Sequence, residues 1–479
     1  VISTIIPAPA HTAEAEPDLE AVKTSRLHYL LPATDSNELF CVVVASLLLN
    51  RYPVPYIVGW RGEGKFDAKA AHVAKLRSIQ RYLTTLPHGG QDDDLVMVGD
   101  GHDVMAQLPV EVMVERYFQL MADADVRLAD RFGISVEEAH ERGLRQTLLW
   151  GADKMCWPAL YKELQCTRAV IPPSTLPRGG LGPKTDNGDH TYAHPVFLNS
   201  GSVIGPLGDM RDFFDAAVAE MESTYDPEFK YKDSDQIYIA RLFGRQEASR
   251  AERIAAEEAV ASDNGTTSAP DSEEENNKTN VTEHHITLDY ESAFVQTGCY
   301  SHGWMRKLHY NNSDHTATMT EDRLSQGKHF KPYPIQMPAN VYQSLVRIFH
   351  SLFPDQKKSP MSPREWVGSL ALDTNIVSKH IFNFYHATCS KKDLAADFTK
   401  YWFYPFVKPL LRAAFRETQT GQPMAEKLID GRRWVYQKSY PEKGRVGEDQ
   451  LGGVFTDFGH DEFIPYTTLC KEHLDMLER

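Results

Sequence analysis

No stretch of this sequence stays apolar for the ~18 residues a membrane-crossing helix needs. The closest, Leu39 to Leu49, is too short and runs into Asn50, Arg51 and two prolines. Positive charge is scarce as well: 51 lysines and arginines face 66 acids, and the net charge of −15 argues against a nucleic-acid partner. Six cysteines in 479 residues cannot build a disulfide scaffold. Cys156 and Cys166, ten apart across Trp157-Pro158, can close a surface loop, whereas Cys41 sits in an apolar helical run and reads as a core thiol. No internal repeat is evident. What remains, 42% hydrophobic and 24% charged, is the make-up of an ordinary globular protein with two to three domains and ample core. The chain starts at Val1 rather than Met, which is compatible with a removed N-terminal signal or anchor. A membrane link is expected only through such an anchor.

Residues 1–24, rich in Pro, Ala and Glu without periodicity, read as a stem or linker. A strand at Leu27 to Leu31, a helix from Glu38 to Arg51, a strand at Tyr56 to Val58, a helix from about Ala70 to Thr85 and a strand from Leu95 follow in order. That succession predicts a parallel sheet with ligand loops along one edge. Helices are expected over Pro109 to Phe132, Val136 to Arg145, Met210 to Met221, Ile237 to Phe243 and Ser249 to Ala261. Thr147 to Trp150 reads as a strand, and Phe197 to Gly205 as a short strand, a turn and another apolar piece. Ser262 to His284, with an acidic run at Asp271 to Glu275, is expected to be a disordered insert. Four N-x-[ST] sequons start at Asn264, Asn277, Asn280 and Asn311, three of them in that insert. Their clustering favours the secretory pathway, Golgi or ER lumen.

The most informative string is LVMVGDGHDV, Leu95 to Val104. Its apolar run fits a buried strand, and Gly-Asp-Gly marks the turn at that strand's end, where open α/β sheets keep their ligand crevice. Asp100 and Asp103, three apart in a tight turn, can point at one cation. The alternative is a turn in which Asp100 bonds nearby amides and Asp103 caps the next element. The V-G-D-G-x-D pattern also resembles the last acidic motif of haloacid-dehalogenase phosphatases. Those need an upstream D-x-D at a strand end, and the nearby Asp92-Asp93-Asp94 comes after no apolar strand.

Trp60-Arg61-Gly62, AAHVAKLRSI with Lys75, VGDGHDV, WGADKMCWP at Trp150 to Pro158, FLNSGSVIG, KYKDSDQIY at Lys230 to Tyr238 and ITLDYESAFVQ at Ile286 to Gln296 recur in one order. Together they resemble the glycosyltransferase domain of the procollagen lysyl hydroxylase/glycosyltransferase family, most closely its fungal members. The likeness spans about residues 25–300, with a weaker match near 380–400. It implies an α/β, GT-A type Rossmann-like mixed sheet flanked by helices: a stem at 1–24, a transferase core at 25–300, and a C-terminal extension at 301–479 that completes it. It also implies a UDP-sugar donor, a glycan or glycoprotein acceptor, and a manganese site, magnesium being the other cation carboxylates suit.

By the same resemblance Asp100 and Asp103 are metal ligands and the third is His386, in His386-Ala387-Thr388-Cys389-Ser390-Lys391-Lys392. This string keeps the His-to-Lys spacing of a family pattern like H-G-N-G-P-T-K without its glycines. Lys392 would then meet the diphosphate. Trp60 matches a position that stacks on uracil, and Thr34 and Lys75 match nucleotide contacts. Their plain alternatives are a core tryptophan, a helix-start hydroxyl and a surface lysine. Asp153, Asn199, Ser200 and the Asp233 to Gln236 string fall on the sugar and acceptor side. There Asp235 or Asp233 would act on the hydroxyl or the developing charge, unless the string is merely a solvated helix cap. Asp289 reads as a fold-supporting acid. No hydroxylase is expected, because His460-Asp461-Glu462 has the wrong spacing for H-x-D. Trp402, Tyr404 and Trp434 read as core or groove aromatics. Rival readings are a non-catalytic glycan-binding relative and a metal-dependent phosphohydrolase.

Overall fold

The computed structural model describes residues 22–62, 71–86, 89–262, 283–310, 316–318, 334–355, 359–438, 440–441, 448–459 and 461–478. Most of the expected stem and acidic insert, all four sequon asparagines and His460 lie outside them.

The first half runs β1 (Thr24–Pro32), α1 (Glu38–Leu49), β2 (Tyr56–Val58), α2 (Ala71–Thr85), β3 (Leu95–Gly99), β4 (Val104–Ala106), α3 (Val110–Phe132), α4 (Val136–Glu141) and β5 (Leu148–Asp153). Then come β6 (Phe197–Pro206), α5 (Leu207–Thr224), α6 (Asp235–Ser262), β7 (Ile286–Leu288), β8 (Val295–Thr297), β9 (Met305–His309), β10 (Thr316–Thr318), β11 (Pro334–Gln336), α7 (Ala339–Leu352) and α8 (Pro363–Ser369). The chain ends with β12 (Ala371–Asn375), β13 (His380–Ile381), β14 (Phe384–His386), α9 (Leu394–Phe398), α10 (Val407–Glu417), β15 (Arg433–Val435), β16 (Gly453–Thr456), β17 (Glu462–Pro465) and α11 (Tyr466–Leu469). Local chemistry explains several boundaries. The Asn37 side chain caps α1 by accepting from the Phe40 amide, and Gly133, at φ 67°, closes α3 in the left-handed region that glycine tolerates.

The main sheet has the order β17-β16-β2-β1-β3-β6-β5-β7, with β15 also pairing β1. β1 is parallel to both β2 and β3. The chain steps one way from β1 to β2 and back past β1 to β3, so right-handed crossovers put α1 and α2 on opposite faces. The strand order therefore reverses at β1, and the crevice of such a sheet lies at the carboxyl ends beside that switch point. The sheet is mixed rather than the parallel one the opening succession predicts, because β6 runs antiparallel to both β3 and β5. The architecture is thus a mixed α/β sheet flanked by helices, compatible with a Rossmann-like fold.

Two further expectations are corrected. Phe197 to Pro206 is one strand rather than two pieces, but it bulges at Ser200 to Ser202, where the partner steps from Val203 to Asn199 as β5 passes from Trp150 to Gly151. The two expected helices around Gly244 are the single α6. There glycine is required by close approach, since a Cβ would lie 2.6 Å from the Gln165 amide nitrogen.

Beyond residue 300 the chain returns to the same body. β15, β16 and β17 extend the main sheet, and α10 packs on α1. Cys41 is no free thiol but is bonded to Cys470, with the Tyr466 hydroxyl donating to the Cys41 carbonyl. Trp402 and Trp434 are buried and bond through their indole nitrogens to the carbonyls of Gln107 and Ile429, so both belong to the core. Tyr404 is partly buried and packs against it. Asp289 supports the fold as expected, accepting from the amides of Ala293, Phe294 and Val295.

Burial drives the His284 imidazole from its ordinary 6.5 down to about 4, with Arg245 adding to the effect. An imidazole favoured neutral in the fold contributes stability above its unfolded value, and that contribution drains away as the pH falls from 6.5 toward 4. Between pH 6.5 and 4.5 the protein is expected to lose about 1–2 kcal/mol through this partly exposed residue. His284→Gln should flatten that limb of the stability curve in urea melts, and an unchanged slope would exclude His284 as its cause.

Candidate metal centre and its cleft

Three elements bring the candidate ligands together. Asp100 comes directly after the last residue of β3 and is pinned there by its amide, which donates to the Gly201 carbonyl at 2.9 Å. Asp103 ends the turn just before β4. His386 closes β14, paired with Val104 of β4 on one side and Thr297 of β8 on the other. The Ala387 amide donates to the Asp103 carbonyl at 2.8 Å, fixing acid and imidazole in register. One ligand atom from each of Asp100, Asp103 and His386 falls within 4.8 Å of the others. Gly201 is what lets the imidazole in: a Cβ there would sit 2.1 Å from His386 Cε1.

The donor chemistry fits a divalent cation. Asp103 is 1% exposed, and its Oδ1 and His386 Nδ1, both buried, have no hydrogen-bond partner among the described residues. Polar atoms left so are costly unless a ligand completes them. Burial works against the charge on both groups. Even so, His386 and Lys391 hold the Asp103 carboxyl below its usual value, and Asp103 in turn raises the His386 imidazole. Asp100 keeps 29% of its side chain open; burial raises its carboxyl, and Lys75 opposes that.

Two lysines face the acids. Lys75, buried on α2, donates to Asp100 Oδ1 at 2.6 Å and to the Ser200 carbonyl at 2.8 Å, and lies 3.0 Å from Asp235 Oδ2. Burial disfavours its charge, but the two carboxylates more than restore it. The second lysine is Lys391, 2.6 Å from Asp103 Oδ2. This corrects the expectation for Lys392, which is exposed and lines neither cavity of the cleft. A 3₁₀ turn over Lys391–Asp393 comes soon after Cys389 at φ 67°, so counting along the string selects the wrong neighbour.

The acid turn divides the cleft into two cavities. The smaller, about 130 Å³, is lined by Thr34, Gly59, Gly62, Lys75, Asp100 and His102, among others, from the loops after β1, β2 and β3. Trp60 lies between the two glycines but is not on the cavity wall; its indole is buried against Phe40, ring centres 6.1 Å apart. The larger cavity, about 530 Å³, gathers Asp153, Asn199, Asp233, Asp235 and Gln236 with His386. All the sugar-side residues singled out in the sequence line it. Asp153 is buried beside Asn199, whose amide nitrogen donates to its Oδ2 at 2.8 Å while its Oδ1 accepts from the Gly201 amide. Burial holds the Asp153 carboxyl above its ordinary value, and the Asn199 bond pulls against that. Asp235 begins α6 and is buried against Lys75, whereas Asp233, two residues earlier, is exposed at the rim. Asp233 is therefore solvated, as the alternative reading has it, and Asp235 is not. Gln236 supports the wall, donating to the carbonyls of Trp157 and Leu198.

Three features of the cleft escaped the sequence. The disulfide Cys299–Cys389 ties the segment after His386 to the far wall, while the expected Cys156–Cys166 pair is bridged as well. Gly201 was visible only as part of FLNSGSVIG. Lys154, next to Asp153, is buried in the larger cavity, and burial pushes its ammonium down to about 7. Its only signal was a lysine next to Asp153 in a string with no other charge.

Asp92-Asp93-Asp94 precedes β3 and so lies at the opposite end of that strand from Asp100, roughly 20 Å away along a five-residue strand and its turns. Asp94 is buried and accepts from the amides of Arg26 and Gln91. It has a structural task and cannot reach the acid turn. No protein-family model matches the chain, and no curated protein matches it either. The class that fold and site define is an α/β protein with an Asp-Asp-His cluster at its strand-end crevice.

Proposed function

We propose that this chain is a metal-dependent glycosyltransferase of GT-A type that moves a hexose from a UDP-sugar to a hydroxyl of a glycan or glycoprotein. The observation that carries the reading is the position of the Asp100, Asp103 and His386 cluster between a small loop-lined cavity and a larger acidic one. Two carboxylates and an imidazole suit manganese, with magnesium the second choice. Bound there, the cation would supply Lewis-acid stabilisation of the charge left on the departing diphosphate. Lys75 and Lys391 add positive charge beside the same acids and can hold phosphate oxygens. On this reading Thr34 belongs to the nucleoside side.

On the other side Asp235 faces the sugar and acceptor. It is suited to take the acceptor hydroxyl proton or to stabilise positive charge at the anomeric carbon. Asp153 offers Oδ1 to a sugar hydroxyl, and Asn199 holds its orientation through Oδ2. The location of Asp92 to Asp94 away from the crevice removes the nucleophile that a phosphatase of haloacid-dehalogenase type needs.

Three disulfides among the described residues support an oxidising compartment, hence the secretory pathway. None of the helices searched, all within the described residues, is long and apolar enough to cross a membrane. The direct test is thermal shift with a nucleotide panel, with and without manganese. Expected is stabilisation by UDP and UDP-sugars only when manganese is present. Equal shifts for all nucleotides would speak for a phosphohydrolase, and none for a non-catalytic relative.

A further inference from the structure

Four lysine and arginine side chains are buried among the described residues: Arg51, Lys75, Lys154 and Arg250. Three meet carboxylates. Arg51 pairs with Glu417, Lys75 with Asp100 and Asp235, and Arg250 with Glu247 and Glu283. Lys154 meets none of the described residues' carboxylates at ion-pair distance. Its ammonium donates to the carbonyls of Thr191 at 2.8 Å and Tyr300 at 3.3 Å, and sits 5.4 Å from the Trp304 ring centre. An ammonium has three donors, so these two bonds leave one for a ligand.

Burying an ammonium without a paired carboxylate is costly, and Lys154 does so on the wall of the larger cavity, beside Asp153, Asn199 and Tyr300. Asp189 and Asp186 act on it only from beyond ion-pair distance and do not offset its burial. The cost lapses when a ligand brings the anion. The diphosphate is not that anion, because Lys75 and Lys391 hold its side of the acid turn. Among the described residues the cavity wall contains no arginine, whose fork suits dianionic phosphate, while a single point-charge ammonium matches a carboxylate. The exposed Lys230, 5.0 Å from the Tyr231 ring centre, adds positive charge to the same wall, as does Lys391, which lines both cavities. We infer that Lys154 recognises the carboxylate of an acidic sugar, carried by the UDP donor or by the glycan acceptor. The inference rests on the transferase reading above.

The test is calorimetric titration of the full chain in manganese. One arm compares UDP, UDP-glucose and UDP-glucuronate. The other, at saturating UDP, compares a neutral disaccharide with its glucuronate-ended counterpart. The wild-type protein is expected to prefer the acidic member of one pair by about tenfold or more, the scale of a charge-assisted hydrogen bond, and the arm that responds identifies donor or acceptor. Lys154→Met should erase that preference and leave UDP affinity unchanged. Lys154→Gln, which keeps donors for the two carbonyls, should do the same if the methionine variant folds poorly. No preference in either arm, or one that survives both substitutions, overturns the inference. So does a parallel loss of UDP affinity and melting temperature in both variants, which would assign Lys154 to the fold. Failure of the wild-type protein to bind UDP at all would instead sink the transferase reading, and the inference with it.

Discussion

Asp103→Asn is expected to abolish manganese-dependent UDP binding and to lower sugar transfer by at least about a hundredfold, with the protein still folded. A neutral amide cannot replace a carboxylate as a strong ligand for a hard cation, and loss of the cation removes stabilisation of the leaving group, worth several kcal/mol in the transition state. The fold should tolerate the change. Asparagine is nearly isosteric, the bond from the Ala387 amide goes to the backbone carbonyl rather than the side chain, and relief of repulsion from Asp100 offsets part of the attraction lost to Lys391 and His386. Manganese titration of UDP binding, with a thermal melt as the folding control, checks the result. Transfer at the parental rate would refute the metal assignment.

Asp235→Asn should separate the two sides of the cleft. Donor affinity is expected to change by no more than about threefold, because Lys75 keeps its bond to Asp100 and the metal cluster is untouched. Turnover should fall about a hundredfold or more, the range for losing a proton acceptor or a charge aimed at the reacting carbon. Asp233→Asn, at the exposed rim, should cost only a few-fold in either quantity. Single-turnover rates and UDP-sugar affinity measured side by side decide it. If Asp235→Asn loses donor binding and turnover in proportion, its carboxylate supports Lys75 and the diphosphate rather than the sugar.

Much of this site was legible because it is local. Leu95 to Gly99 form a strand since an unbroken apolar run can be buried on both faces, and Gly101 lets the adjoining turn pass within contact of the Pro32 carbonyl. Asp100 and Asp103 therefore sit together by spacing alone. The helices α1, α2 and α3 came out within a residue or two, set by apolar periodicity, an Asn cap and a closing glycine. His386 needed more than spacing. The motif resemblance named it, but no property of residues 381–392 by themselves puts an imidazole against an acid turn almost three hundred positions earlier.

Local sterics and hydrophobic pattern, which act over a few residues, determined from sequence alone most elements of the first half and the acid turn, while the residues of the larger cavity were named only by the motif resemblance. Tertiary structure decided what depends on where distant strands dock. The apolar run of β6 carries no sign of its direction, so its antiparallel pairing with β3 and β5, and the meeting of Gly201 with His386, came only from the assembled sheet. The partner of Cys41 lies 429 residues away, and nothing near Cys41 distinguishes a bridged cysteine from a buried thiol. The choice of Lys391 over Lys392 turned on one residue at positive φ and a 3₁₀ turn, and the unpaired state of Lys154 on the lack of a described carboxylate within ion-pair distance of a buried ammonium. Both are relations in space between segments far apart in the chain, and a linear pattern does not contain them.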